Sequence, residues 1–408
     1  MKPSRSILFA CAIALTGQVL GQAPQLKKQN VSKPVRLTAP APKPALKVFR
    51  PKSEKLVFID GDRVMLIGDG LIEQMQKHGY LESRLTAGNS GKKLHFRNIG
   101  WSGDTPAGIA RDGLGTLQAG HESANEGWIQ LKKQIADIKP TVAVIGYGMA
   151  SSLDGSSLDK FKSDYLRLVE HIKSSAGKKN PLRLVFMSPI AHENLGGKLP
   201  DGKVHNSNLE KYREVIGDLA GENDAWFVDL YRYLRPARGG APIHMTTDGI
   251  HLNDHGYWVL AAVAEQSFSL TLSNFRFGIL PDATERSGGY GIKLSDIKIA
   301  DDLVTMTGRF DALPAYYSHP KKDTALMQRT AIGRIQFRDI PDGSFTLIAD
   351  GIEIHTGDSK EWARGALIDG GPDVGQVERL RSLIVEKNEL YFHRSRPQNQ
   401  AYLWGFRR

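Results

Sequence analysis

The feature that most constrains the fold is an alternation of short apolar runs with longer amphipathic stretches between residues 56 and 270. The apolar runs predict five buried strands, at Val64–Ile67, Leu94–Phe96, Val142–Ile145, Leu184–Met187 and Trp226–Leu230. The amphipathic stretches predict helices, at Leu71–Leu85, Trp128–Ile138, Leu158–Ile172, Asn208–Leu219 and Asp254–Leu270. Parallel strands require such crossover helices, so the pattern predicts an α/β fold with a doubly wound, parallel five-stranded sheet. Ligands of such sheets bind at the carboxyl ends of the strands.

The pattern changes from Ser273 onward, where short alternating segments predict a smaller β-rich domain over residues 273–357. The predicted strands are Ile292–Ile299, Leu303–Arg309, Ile332–Phe337 and Phe345–Ile348. Turn signals at 341–343 and 350–351 are expected to join antiparallel pairs. Residues 358–408 predict two helices, at 360–367 and 374–387, and an extended aromatic and basic tail from Leu390 that packs back on the α/β domain.

The formal net charge of +10 is concentrated near the amino terminus. Residues 24–55 hold nine Lys or Arg and one acidic residue, and Lys2 and Arg5 supply the remainder. Because residues 56–408 are net neutral, nucleic acid is not an expected partner. The basic segment is also rich in proline, which predicts an extended, solvated linker over residues 23–55; contact with a polyanionic cell surface is the alternative.

The first 22 residues have the layout of a secretory signal peptide. Lys2 and Arg5 precede an apolar run from Ile7 to Leu15, and small residues follow near Gly21. That run is too short to span a bilayer, and no later stretch is long enough, so the mature chain is expected to be secreted or periplasmic without a transmembrane segment. The single cysteine, Cys11, lies in the signal, so no disulfide, thiol nucleophile or cysteine metal site is expected.

Four loops at the predicted carboxyl edge carry short motifs. They read GDG at 68–70, NIGWSGDT at 98–105, GYGMAS at 146–151 and DGIHL at 248–252. In order and in strand context these motifs resemble the blocks of the SGNH/GDSL hydrolase superfamily, over a domain spanning residues 56–272. The resemblance implies a flavodoxin-like α/β fold and an ester hydrolase that needs no cofactor.

The resemblance also implies site residues. Asp248 and His251 match the catalytic pair, in which the aspartate orients a histidine base; a spacing of three residues allows Asp248 to accept the Nδ1–H bond while Nε2 faces the substrate. Gly70 and Gly103 match positions whose backbone N–H groups form an oxyanion hole. Asp69, Trp101, Asp104, Ala150 and His192 are expected to line the same pocket, Trp101 as a sugar-stacking ring or alternatively as a core or lid residue.

Two positions depart from the superfamily pattern. Gly70 stands where the nucleophilic serine is expected, and Ala150 stands where an asparagine would donate to the oxyanion. Loss of one oxyanion donor typically lowers the rate by about 10²–10³. Ser102 and Ser151 are the nearby hydroxyls that could replace the nucleophile, and a water is the third alternative.

No metal site is predicted. The His192-Glu193 and His121-Glu122 pairs lack the second histidine at helical spacing that a zinc helix requires. In the tail, His393, Arg394 and Arg396 are candidates for anion binding near the cleft.

Three functions remain open on the sequence. The first is an exported hydrolase of acyl or carbohydrate esters, in which His251 activates Ser102, Ser151 or a water. The second is a catalytically inactive descendant that binds an extracellular glycan or an acylated ligand. The third is an adhesive or scaffolding module that works through the β domain and the linker. The expected partner is therefore a small-molecule or glycan ester, and the sequence specifies no oligomeric state.

Overall fold

A computed structural model describes residues 46–50, 52–111, 125–155, 157–234, 243–270, 275–285, 288–300, 303–314 and 333–396. Several predicted features lie outside these ranges. These features are the signal peptide, most of the linker, the His121-Glu122 pair and the part of the tail beyond Arg396.

The core of the α/β domain is a parallel sheet of five strands, which confirms the predicted fold class. The strands are β1 (Arg63–Gly68), β2 (His95–Asn98), β3 (Val142–Gly146), β4 (Arg183–Met187) and β5 (Trp226–Val228). Their spatial order is β2-β1-β3-β4-β5, and every neighbouring pair is parallel. β3 is buried along its whole length and β1 is buried beyond Arg63, as expected for strands covered by helices on both faces.

Helices cover both faces of this sheet. They are α1 (Gly70–His78), α2 (Tyr80–Gly88), α3 (Glu126–Ile138), α4 (Leu158–Ser175), α5 (Lys203–Glu222), α6 (Leu230–Tyr233) and α7 (Asp254–Ser267). The single helix predicted over 71–85 is in fact two helices. Gly79 adopts a left-handed conformation, with φ of 69°, which ends α1 and begins α2 at an angle to it.

The sheet order reverses between β1 and β3, and the backbones approach closely there. A Cβ built on Gly68 would lie only 2.0 Å from the carbonyl oxygen of Gly146, the residue paired with it across the two strands. Only glycine fits this approach. The loops that follow β1 and β3 therefore diverge from one point, the position at which doubly wound sheets open a ligand crevice.

The last residues of the predicted linker pack on the α/β domain. The Arg213 guanidinium donates to the carbonyl oxygen of Lys47 at 2.7 Å, and the Phe49 ring meets the edge of Phe227 with ring centroids 5.0 Å apart. Two residues of the predicted linker, Lys47 and Phe49, therefore contact the α/β domain.

The C-terminal addition is rich in β structure, as predicted. Its strands are β6 (Arg276–Ile279), β7 (Ile292–Ala300), β8 (Leu303–Phe310), β9 (Gly333–Phe337), β10 (Ser344–Ala349), β11 (Ile352–Asp358) and β12 (Ala366–Ile368). They form a three-stranded sheet in the order β12-β9-β6 and two hairpins, β7-β8 and β10-β11. A separate apolar core that includes Phe277, Ile335, Phe345 and Trp362 supports these strands.

One predicted connection is wrong. The turn at 341–343 does not join an antiparallel pair, because β9 pairs with β6 and β12 while β10 pairs with β11. The turn at 350–351 does join β10 to β11, and both of its residues adopt positive φ, as a tight hairpin requires.

The two C-terminal helices are α8 (Ser359–Arg364) and α9 (Val374–Ser395). The prediction of an extended tail from Leu390 is wrong for its first residues, because α9 continues to Ser395; Pro397 follows at once and disfavours helix at Arg396. α9 packs on the α/β domain: Lys387 pairs with Glu82 of α2, and Arg381 donates to the carbonyl oxygen of His78 at 3.1 Å. No helix in the described ranges is long and apolar enough to cross a membrane.

Candidate active site

A cavity of about 150 Å³ opens at the carboxyl edge of the sheet, beside the point where the strand order reverses. Six of the predicted site residues line it, namely Asp69, Gly70, Ser102, Gly103, Ala150 and His251. The remainder of the lining includes apolar side chains of Met149, Leu153, Ile190 and Ile250. The topology therefore brings together residues from five separate loops.

His251 presents an oriented imidazole to this cavity. Its Nδ1 lies 2.7 Å from Asp248 Oδ2, and its backbone N–H donates to the other carboxylate oxygen at 2.9 Å. Partial burial acts to raise the pKa of Asp248, but the hydrogen bonds from His251 and Ile250 outweigh it and hold the pKa below its usual value. The ionised carboxylate favours the tautomer with the proton on Nδ1, which leaves Nε2 as a proton acceptor.

Hydrogen bonds to the loop after β4 stabilise the loop that carries Asp248 and His251. The Glu193 carboxylate accepts hydrogen bonds from the backbone N–H groups of Met245 and Thr246, at 3.1 and 2.9 Å. Gly249 has φ of 100°, and a Cβ there would lie 2.7 Å from His192 Nε2. A glycine between Asp248 and His251 thus allows the loop to rest on His192, which supports the loop and does not line the cavity.

Gly70 and Gly103, the residues predicted to form an oxyanion hole, have unoccupied backbone N–H groups among the described residues. Gly70 is the first residue of α1, so its N–H has no partner within the helix, and Gly103 adopts φ of 76° in the loop after β2. Neither N–H donates to an acceptor within the described residues. Both glycines line the cavity that His251 also lines.

Asp69 ties the start of α1 to the loop after β3. One carboxylate oxygen accepts from the N–H of Leu71 at 3.2 Å, and the other accepts from the N–H groups of Met149 and Ala150 at 3.1 and 3.4 Å. Burial raises the pKa of Asp69 to about 6, against these hydrogen bonds. Asp69 therefore fixes the position of Gly70, and the Ala150 N–H is already occupied.

The Ser102 hydroxyl borders the space that a side chain at position 70 would take. A Cβ built on Gly70 would have the Ser102 Oγ as its nearest neighbour, at 3.4 Å. The hydroxyl donates to the carboxylate of Glu73, which also accepts from the Ser102 N–H at 3.1 Å. No hydrogen bond joins Ser102 to His251 among the described residues, so the hydroxyl proton is directed to Glu73.

Glu73 is a site residue that the sequence reasoning missed. It lies one helical turn after Gly70, is only 6% exposed, and forms an ion pair with Arg396, the residue that follows α9. The only signal was its spacing of three residues from the position expected to hold the nucleophile. Its partner, Arg396, was predicted to bind an anion near the cleft, but no sequence pattern linked these two residues, which are 323 positions apart.

The other predicted site residues lie outside the cavity lining. Ser151 is 2% exposed, and its hydroxyl has no partner among the described residues. Asp104 is fully buried in an ion pair with Arg111; burial raises its pKa, which the charge of Arg111 opposes. The ring of Trp101 lies under the guanidinium groups of Arg111 and Arg396, so it stacks on arginines instead of facing the cavity.

The described residues contain no group of three or more His, Cys, Asp or Glu side chains placed to hold a metal ion. His192 and His205 do approach each other, with their Nδ1 atoms 3.1 Å apart, and His205 Nε2 lies 2.7 Å from the Ser152 hydroxyl. These three side chains form a hydrogen-bonded chain beside the site.

Comparison with known proteins agrees with this architecture. Residues 67–259 match the model of the GDSL-like lipase/acylhydrolase family. A solved structure of a gut microbial diltiazem-metabolizing enzyme is 16% identical, with a TM-score of 0.57 over 83% of this chain and 80% of that one. Axe2, an acetylxylan esterase from Geobacillus stearothermophilus, is 17% identical, with a TM-score of 0.39 over 52% of this chain and 96% of that one. No curated protein matches significantly.

The first of these structural similarities extends beyond the α/β domain and concerns the fold. Together with the family match, it defines a hydrolase-like protein with an SGNH-type sheet and a C-terminal β-rich addition. The α/β domain of the chain belongs to the SGNH/GDSL hydrolase superfamily.

Proposed function

We propose that the protein hydrolyses carboxylic esters with a water molecule, activated by His251, in place of the usual serine. One observation carries the proposal: an imidazole held by Asp248 at 2.7 Å lines the same cavity as the unpaired N–H groups of Gly70 and Gly103. A base and two oxyanion donors are the parts that acyl transfer to water requires.

The absent side chain at Gly70 leaves room for that water. A water next to Gly70 can donate one proton to His251 Nε2 and the other to Ser102 Oγ. The Ser102 oxygen can accept it, because its own proton is donated to Glu73. A lone pair of the water then remains free to attack the ester carbonyl.

The reaction balances without any further group. The water oxygen bonds to the carbonyl carbon as His251 Nε2 takes its proton, and the negative charge moves to the carbonyl oxygen, facing the N–H groups of Gly70 and Gly103. Collapse of the tetrahedral species breaks the bond to the alcohol oxygen. The imidazolium returns the proton to that oxygen, and the products are one acid and one alcohol.

The lining of the cavity favours a short acyl group. Met149, Leu153, Ile190 and Ile250 offer apolar surface for an acyl chain, and about 150 Å³ accommodates only a small one. The expected substrates are therefore acetyl or similarly short esters of a small alcohol or a carbohydrate.

The second candidate function is ligand binding without catalysis. The observation that favours it is the loss of two side chains that the superfamily uses, at Gly70 and Ala150. Under this function the native protein would not turn over esters, while an acylated sugar would raise its melting temperature, because any ligand of the native state does so. Hydrolysis of p-nitrophenyl acetate by the native protein separates the two candidates.

Replacement of Ser102 by alanine is expected to lower kcat for p-nitrophenyl acetate by about 10-fold, because the water loses one acceptor worth about 1.4 kcal/mol. Ser151→Ala is the matched control: its hydroxyl is buried outside the cavity lining, and turnover should not change. A loss above 1000-fold in Ser102→Ala would instead assign the nucleophile to Ser102 itself.

We also propose that the protein acts outside the cytoplasm, on the strength of the signal-peptide layout of residues 1–22. Expression of the full chain in a Gram-negative host should yield a shortened protein in the periplasm, with an amino terminus close to Gln22. Intact-mass measurement of the periplasmic fraction tests this, and a full-length protein confined to the cytoplasm would refute it.

A further inference from the structure

The C-terminal helix α9 places the Arg396 guanidinium against the loop that carries Ser102. Arg396, the residue after the last turn of α9, forms an ion pair with Glu73 and donates to the carbonyl oxygen of Gly100 at 2.9 Å. Its guanidinium also lies 3.6 Å from the centroid of the Trp101 ring. The Arg396 side chain therefore contacts Glu73 and the two residues that precede Ser102 in the chain.

The position of Arg396 is set by extensive packing of α9. Asn388 donates to Glu82 Oε2 at 3.1 Å, and the Arg381 guanidinium lies 4.9 Å from the Tyr80 ring centroid. Near its end, the carbonyl oxygen of Ser395 lies 3.4 Å from the Gln134 side-chain nitrogen. The helix is therefore anchored along its length before it reaches the site.

The Glu73 carboxylate connects Arg396 to Ser102. One of its oxygens pairs with Arg396, and the other accepts from both the hydroxyl and the N–H of Ser102. Glu73 is buried, and burial of a carboxylate is costly unless a cation pairs with it. Arg396 is the cation that pairs with it.

We propose that Arg396 is a positioning residue for ester hydrolysis. The helix α9 therefore contributes to the active site by holding Arg396 in position. Arg396 holds Glu73 in place, Glu73 directs the Ser102 hydroxyl proton away from the cavity, and the Ser102 oxygen is thereby presented as an acceptor to the attacking water. This inference rests on the proposed function and adds a residue from the C-terminal addition to it.

The test compares Arg396→Ala with Arg379→Ala, a matched control on the same helix whose side chain is exposed and forms no hydrogen bond or ion pair among the described residues. For Arg396→Ala we expect kcat for p-nitrophenyl acetate to fall about 10-fold with KM nearly unchanged, because the loss affects the water and not the ester. Free guanidinium at millimolar concentration should restore part of kcat. Arg379→Ala should leave kcat unchanged and gain nothing from guanidinium.

A second readout does not depend on turnover. Amide hydrogen exchange in a peptide covering residues 99–105 should speed up about 10-fold in Arg396→Ala and stay unchanged in Arg379→Ala, since the Ser102 N–H donates to Glu73. Unchanged exchange would overturn the inference whether or not the native protein is active. Faster exchange with normal kcat would also overturn it while the proposed function stands. An inactive native protein would refute the proposed function and, with it, a role of Arg396 in hydrolysis, even if exchange is faster in Arg396→Ala.

Discussion

Replacement of His251 by alanine is expected to lower ester hydrolysis by at least 100-fold. A positioned general base typically contributes about 10²–10⁴ in rate, and His251 is the imidazole that lines the cavity beside Gly70 and Gly103. Its side chain is 56% exposed, so little packing is lost and the melting temperature should change by no more than a degree or two. Initial rates with p-nitrophenyl acetate and a thermal melt of each variant measure both effects.

His95→Ala is the matched control for this change. His95 is exposed and begins β2, at the amino end of the sheet and so at the opposite edge from the site. It should leave turnover unchanged. Equal rates in the native protein and in His251→Ala would remove His251 from the mechanism.

Replacement of Gly70 by serine is expected to change the mechanism from direct attack by water to a covalent one. Position 70 can accept a side chain, because the nearest atom to a built Cβ is Ser102 Oγ at 3.4 Å and the backbone there is helical. The new hydroxyl would lie in the space assigned to the water and within the cavity lined by His251. Mass spectrometry should find about one acetyl group per chain after treatment with p-nitrophenyl acetate.

Gly70→Ala is the control that separates the hydroxyl from the added carbon. Its methyl group occupies the same space but cannot attack, so we expect no acetylation and a loss of turnover of about 10-fold or more through exclusion of the water. Full activity in Gly70→Ala would show that the attacking water does not lie beside Gly70. Absence of acetylation in Gly70→Ser would show that His251 does not reach this position.

The α/β fold could be predicted because each central strand is recognisable from its own short stretch of sequence. The runs in β1 and β3 are continuous and apolar, which is typical of parallel strands buried on both faces, and the stretches between them have helical period. Pairing in the β-rich addition could not be predicted in the same way. β9 pairs with β6 and β12, which are remote in sequence, and alternation alone does not specify which strands are neighbours.

The candidate site could be predicted only in part, for a related reason. Gly70, Gly103 and His251 follow strands or precede α7, so strand order alone brings them to one cavity, and Asp248 lies beside His251. Glu73 had the pattern of an ordinary acidic residue in the first turn of a helix. Its role depends on Arg396, more than 300 positions away, and no local pattern reports a tertiary ion pair.

Trp101 and Asp104 are two further residues whose tertiary partners could not be predicted from local sequence. Both belong to the loop motif that follows β2, and a position in such a loop predicts a pocket residue. In the folded chain Arg111 pairs with Asp104 and lies over the ring of Trp101, so both side chains stabilise the loop behind the cavity. Which side of a loop faces the ligand is decided by such tertiary partners.

The most direct test of the central claim is the release of p-nitrophenol by the native protein during the first turnovers, with p-nitrophenyl acetate in excess. Attack by a water predicts steady release from the start, with no burst and no acetylated chain in the mass spectrum. A burst of about one p-nitrophenol per chain would assign a covalent nucleophile, and Ser102 would be the residue to examine. No release at all would contradict hydrolysis and leave a binding protein built on a hydrolase fold.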